Sequence, residues 1–196
     1  MIHTTYADIL RPAAKRQALV YDAALILGGS LLVALSAQIA IPLPFSPVPI
    51  TAQTLAVLLT GALLGSRRGA LSLLAYLAEG LAGLPVFSAG RAGLDHLRGP
   101  TGGYLVGFVV AAYLAGYLAE RGWDRRPLTT ALAMLAGNVA LYLPGLAWLA
   151  KFVGPAQAPA LGLYPFIVGD LLKIALATAL LPAGWKVLRM GNASKM

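Results

Sequence analysis

Asp170 and Lys173 stand three residues apart inside "YPFIVGDLLKIALATALL" (164–181), a stretch that is otherwise apolar. Residues at i and i+3 of a helix share a face, so this acid and this base can meet the same small object. A charge at the centre of a bilayer costs at least about 2.5–3.5 kcal/mol on insertion scales, so such residues face a bundle interior or a wet cavity. A structural ion pair is one reading of them. A proton or ion relay is another, but relays need further buried acids. Glu79, toward the outer end of the third apolar segment, is the other candidate acid; it is read as a partner for Arg91 or as an interfacial residue.

Other chemistries have little to work with. The chain has no cysteine and only two histidines, His3 and His96, so no disulfide framework and no protein metal centre is expected, and no cofactor is called for. It lacks the G-x-x-x-x-G-K-[ST] phosphate loop, G-x-G-x-x-G, G-x-S-x-G and H-E-x-x-H. Binding or passing a solute is favoured over transforming it, and no enzyme is expected.

The elements that must position the pair are membrane helices. Of 196 residues, 59% are hydrophobic and 11% charged, against roughly 25% charged in an ordinary soluble domain. Mean hydropathy is +0.77. A span needs about 20 apolar residues. Six candidates fall at roughly 18–41, 51–65, 69–84, 101–119, 128–150 and 164–184, giving an all-α six-helix bundle in a single membrane domain over 1–196. The second and third are short, so their hairpin around "GSRRG" is expected to be partly re-entrant or to sit where the bilayer thins.

If all six cross, one side receives Arg11, Lys15, Arg16, Arg67, Arg68, Arg121, Arg125, Arg126, Lys186, Arg189 and Lys195; the other receives Arg91, Arg98 and Lys151. That asymmetry puts both termini in the cytoplasm and makes the +8 net charge a topology signal rather than a nucleic-acid footprint. "IPLPFSPVPIT" (41–51) carries four prolines and no charge, which predicts a stiff, extended segment. "PVFSAGRAGLDHLRGP" (85–100) mixes glycines with charge and is a loop or a segment folded back into the protein. The pairs Gly61/Gly65, Gly103/Gly107 and Ala112/Gly116 suit close helix packing.

The ordered string "PLPFSPVPITAQT", "GLPVF", "GPTGGY" and "GDLLK" resembles the BioY family of biotin transporters, and the likeness runs over most of the chain. The resemblance implies a six-helix substrate-binding (S) component of an energy-coupling factor transporter in the cytoplasmic membrane of a prokaryote. Such a component captures biotin from outside, driven by a separate transmembrane coupling protein and two ATPase subunits, in keeping with the missing phosphate loop. A self-sufficient biotin carrier is the alternative.

Biotin's ureido ring offers two N–H donors and one carbonyl acceptor, which an aspartate and a lysine on one helix face can read together. By resemblance that role falls on Asp170 and Lys173, with Thr51, Gln53 and Tyr104 in the pocket wall. Arg91 is assigned on electrostatic grounds to the valerate carboxylate. The first connection is implied to act as a lid. Small residues on the first helix, Ser30/Ala34 foremost and Ser36/Ala40 second, are implied to meet the coupling protein.

Overall fold

A computed structural model describes residues 4–193, with side chains as far as Leu188; Lys195 and the Arg189 side chain therefore lie outside the described residues. The order is α1 (Tyr6–Ile9), α2 (Lys15–Gln38), β1 (Ala40–Leu43), β2 (Ser46–Thr51), α3 (Gln53–Leu64), α4 (Ser66–Leu81), α5 (Leu94–Arg98), α6 (Gly102–Ala119), α7 (Pro127–Val153), α8 (Ala158–Gly162) and α9 (Ile167–Ala193). The long helices bundle: α6 packs on α7, α3 and α4; α2 lies on α4 and α3; α9 lies on α7 and α3.

Four stretches are long and apolar enough to cross a membrane: Lys15–Gln38, Gly102–Ala119, Pro127–Val153 and Ala158–Leu188. At 1.5 Å per residue α3 spans only about 18 Å and α4 about 24 Å, so this hairpin is as short as its sequence predicts. Its turn is tighter than "GSRRG" suggests. Gly65 alone separates the helices, at φ 89°, a value that favours glycine, and α4 already begins at Ser66.

Small residues let these helices approach to backbone contact. A Cβ on Gly61 would lie 2.2 Å from the Ala112 carbonyl oxygen, and one on Gly116 would lie 2.4 Å from the Gly65 carbonyl carbon. Each clash is far inside van der Waals distance, so α3, α4 and α6 interlock where the small-residue spacing predicts.

The proline-rich connection forms a ribbon rather than an unpaired extended segment. β1 and β2 pair antiparallel, Ala40 with Thr51, Ile41 with Ile50 and Leu43 with Ser46, with a register shift between Ile41 and Leu43. Two strands have only edges, which is where proline is tolerated in a sheet. The 85–100 connection folds back: Phe87 is 0% exposed, against the ring of Tyr76 at 5.5 Å, and α5 follows it.

At the opposite end a polar clasp ties the N-terminal segment to the bundle. Arg68 reaches Asp8 at 2.9 Å and Asp22 at 2.8 Å, and Arg11 reaches Asp22 at 2.7 Å. Tyr6 donates to the Leu181 carbonyl and packs on Trp185, whose Nε1 donates to Asp124 at 2.6 Å. Burial pushes the Tyr6 phenol up to about 12, with the Asp124 charge adding to it. Partial burial works to raise the Asp8 carboxyl, but hydrogen bonds from Thr5 and Arg68 outweigh it and hold it below the usual carboxylate range.

Candidate functional site

One cavity lies between the ribbon, α3, α6, α7 and α9; the space open to a water-sized sphere within it is about 50 Å³, a closely walled site. Tyr104, Leu105, Phe108, Leu141 and Phe166 give it an apolar wall; Asp170 and Lys173 supply its charge. Both face inward because α9 turns that side toward α3, while Leu171 and Leu172 are exposed on its outer side.

Asp170 is 6% exposed and accepts three hydrogen bonds. Its Oδ1 accepts from Thr54 Oγ1 at 3.0 Å and from Lys173 Nζ at 3.3 Å, and its Oδ2 accepts from the Tyr142 hydroxyl. Lys173 Nζ also donates to the Thr51 carbonyl at 2.8 Å and to Thr54 Oγ1 at 2.7 Å. All three ammonium protons are thus used, and the carboxylate keeps about one of its four lone-pair positions in reserve. The pair is neutral as a unit. A neutral, hydrogen-bonding ligand head can join it without leaving a buried charge uncompensated.

Thr51 and Gln53 line the same cavity at the end of β2 and the start of α3. Thr51 Oγ1 accepts from the Gln53 amide at 3.3 Å, and Gln53 Nε2 donates to the Tyr76 hydroxyl at 2.8 Å. Tyr104 contributes its ring, edge-on to Tyr142 at 6.0 Å, while its hydroxyl donates to the Gly162 carbonyl at 2.8 Å. These five residues are brought together.

Arg91 is not among them. It is exposed in a separate vestibule with Asp95, His96, Gly99 and Thr101, and that vestibule adjoins the cavity because His96 and Thr101 line both. A tight reversal from Phe87 to Arg91 sets this arrangement, closed by Phe87 N–H donating to the Arg91 carbonyl at 2.9 Å. Within it Ala89 sits at φ 58°, a left-handed conformation costing about 1–2 kcal/mol for a residue with a Cβ. The turn leaves Phe87 in the core, Ser88 on the cavity and Arg91 outside.

Two expectations are corrected. Ser30 is 0% exposed and Ala34 7%, both packed inside the bundle, so neither lies on the outer face of α2 that a partner would meet. The small exposed residues of that helix are Ala23, Ala24 and Gly28, of which Ala24 and Gly28 stand one turn apart. Glu79 does not pair with Arg91: its Oε2 accepts from Ser30 Oγ at 2.6 Å.

Thr54 and Tyr142 are part of the site and were not singled out by sequence. Thr54 follows Thr51 by three residues at the head of α3, so the "PITAQT" string contains it. Tyr142 offers only a hydroxyl inside an apolar helix. Among the described residues no cluster of three His, Asp or Glu forms that could hold a metal ion.

The family model for the BioY family matches residues 10–190. The chain is 44% identical over 159 residues to a biotin transporter BioY of Rhodobacter capsulatus, covering 74% of this chain and 82% of that protein. It is 42% identical over 146 residues to a probable biotin transporter BioY of Pyrococcus horikoshii, covering 74% and 85%. Its fold is similar to a solved S-component for biotin from an ECF-type ABC transporter, with a TM-score of 0.75, 26% identity, and 89% of this chain and 95% of that one covered. With the match running nearly end to end and through every element that builds the cavity, the chain belongs to the BioY family.

Proposed function

We propose that this chain is a multi-pass membrane protein that captures biotin for uptake, with the ureido ring seated against Asp170 and Lys173. The buried, charge-neutral pair on an aromatic-walled cavity carries this reading. One ring N–H takes the free acceptor position of Asp170. The ureido carbonyl accepts a hydrogen bond from Lys173, whose 3.3 Å bond to Asp170 is the longest of its three and the cheapest to exchange. Thr51, Gln53 and Tyr104 complete the wall, and Arg91 waits at the vestibule for the valerate carboxylate.

Under this proposal residues 1–196 form one integral membrane domain in which α2, α3, α4, α6, α7 and α9 each cross the cytoplasmic membrane of a prokaryote, with both termini cytoplasmic. The distribution of lysine and arginine supports that orientation. The ribbon serves as the lid, held by Ser46 Oγ donating to the Leu161 carbonyl at 2.7 Å. Energy comes in trans from a coupling protein and two ATPase subunits, and the exposed Ala24/Gly28 face of α2 is the proposed contact. Equilibrium binding of biotin to the purified chain tests the reading: saturable binding is expected, and a flat isotherm up to millimolar biotin on folded protein rejects it.

A further inference from the structure

His96 sits where the cavity and the Arg91 vestibule meet and lines both. Its ring stacks on Phe87 at 5.1 Å, and Phe87 in turn packs on Tyr76. This stack demands a glycine at position 80, where a Cβ would lie 2.1 Å from the Phe87 ring. The helix carrying the histidine is held from two sides, by Gly93 N–H donating to the Gly80 carbonyl at 2.8 Å and by Trp148 Nε1 donating to the Gly99 carbonyl at 2.9 Å. The imidazole is therefore fixed in place. Yet, among the described residues, neither ring nitrogen has a hydrogen-bond partner, and nor does the Arg91 guanidinium or the Ser88 or Thr101 hydroxyl.

The contrast with the other end of the cavity is sharp: Asp170, Lys173, Thr54 and Tyr142 satisfy one another, whereas Ser88, His96 and Thr101 on the same cavity have hydrogen-bonding groups unclaimed. Such a cluster has the donors of an anion site, with one permanent cation, two hydroxyls and one titratable ring, set beside the carboxylate of Asp95. Building on the biotin reading above, we infer that His96 is a second carboxylate reader beside Arg91, and that capture of the ligand's acid tail takes up a proton on its imidazole.

The charged and titratable groups on the two spaces it lines are Arg91 and Asp95 in the vestibule and Tyr104, Tyr142, Asp170 and Lys173 in the cavity, and Arg98 shares its helix. An imidazole is the one side-chain type among these whose ordinary value lies between about pH 5 and 8. Burial, with the Arg91 charge second, holds His96 below its usual range, so the free site carries a neutral ring at neutral pH. A carboxylate docked beside it works in the opposite direction and favours the imidazolium. Binding an anion and binding a proton are then linked, and affinity rises as pH falls.

The test compares biotin with its neutral carboxamide by equilibrium binding to the purified full chain. Between about pH 8 and about pH 5.5, biotin affinity should rise by about tenfold, the equivalent of a one-unit shift of the imidazole, while carboxamide affinity stays flat. In His96→Gln the ratio of the two biotin affinities should fall to about one, and in Arg91→Met affinity should drop at both pH values with the ratio retained. A wild-type ratio of one, an equal gain for the carboxamide, or a gain that survives in His96→Gln overturns the inference while leaving biotin capture standing. Failure of both compounds to bind at either pH rejects biotin capture itself, and this inference with it.

Discussion

Two charge networks occupy the two ends of this bundle, and they differ in what they surround. Asp170, Lys173, Thr54 and Tyr142 enclose one side of a cavity, with the acid only 6% exposed. Asp8, Arg68, Asp22 and Arg11 enclose nothing; they cross from the N-terminal segment to α2 and α4 and are wetter, the Arg11 side chain at 43%. Opposite charges within hydrogen-bonding distance are common to both. Only a network that borders a cavity has a further partner to recruit, so the proposal gives the first to ligand and the second to holding the fold.

The sharpest way to break this contrast is Asp170→Asn. It strands Lys173 and gives the Tyr142 hydroxyl a weaker acceptor, and breaking a buried pair costs about 3–5 kcal/mol. Biotin affinity should fall by more than about 100-fold, since 1.4 kcal/mol is a factor of ten. Wild-type affinity in a folded Asp170→Asn protein, measured with its melting temperature on the same preparation, would return the pair to a structural role.

Lys173→Met should come next, costing biotin about 30-fold, because the pair loses its cation and the ureido carbonyl its donor. Tyr142→Phe is milder. It keeps the ring edge against Tyr104 and deletes one hydrogen bond to a carboxylate, worth about 1.5–3 kcal/mol, and calorimetric titration should show a loss of at least about tenfold.

Arg68→Met sharpens the comparison from the other side. It removes two partly buried ion pairs and should lower stability by about 1–2 kcal/mol, seen as a lower Tm, with biotin affinity within about twofold of wild type. A large affinity loss here would erase the distinction between the ends.

The smallest effect concerns pH. Asp8 is held below its ordinary value of 3.8, so the stability it contributes is complete above that value and is lost as pH falls through the lower folded one. Thermal melts should therefore weaken below about pH 4 in the wild type. In Asp8→Asn that part of the acid dependence should be missing.

Sequence made some of this legible and hid the rest for physical reasons. Asp170 and Lys173 stood out because a charge in an apolar run is rare and costly, and the short α3–α4 hairpin was visible because length is counted directly. Spacing alone does not tell which side Ser30 and Ala34 face, because a membrane helix is apolar toward lipid and toward its neighbours alike. Thr54, Tyr142 and His96 acquire meaning only through partners 28 or more residues away, or, for His96, through two cavities that no local pattern describes. The ribbon was foreseen as stiff but not as paired, since pairing depends on a register between strands rather than on the prolines themselves.

Those prolines have one more consequence. Pro42, Pro44, Pro47 and Pro49 leave four backbone positions of the ribbon without an N–H. A two-stranded ribbon at a cavity mouth would otherwise present two open edges, each a template for a stray strand from another chain. Three of the four, Pro42, Pro47 and Pro49, lie within the strands and have no donor to offer one. Under the lid proposal, a ribbon that parts from the bundle offers a stray strand fewer donors and stays free to close on its own pocket.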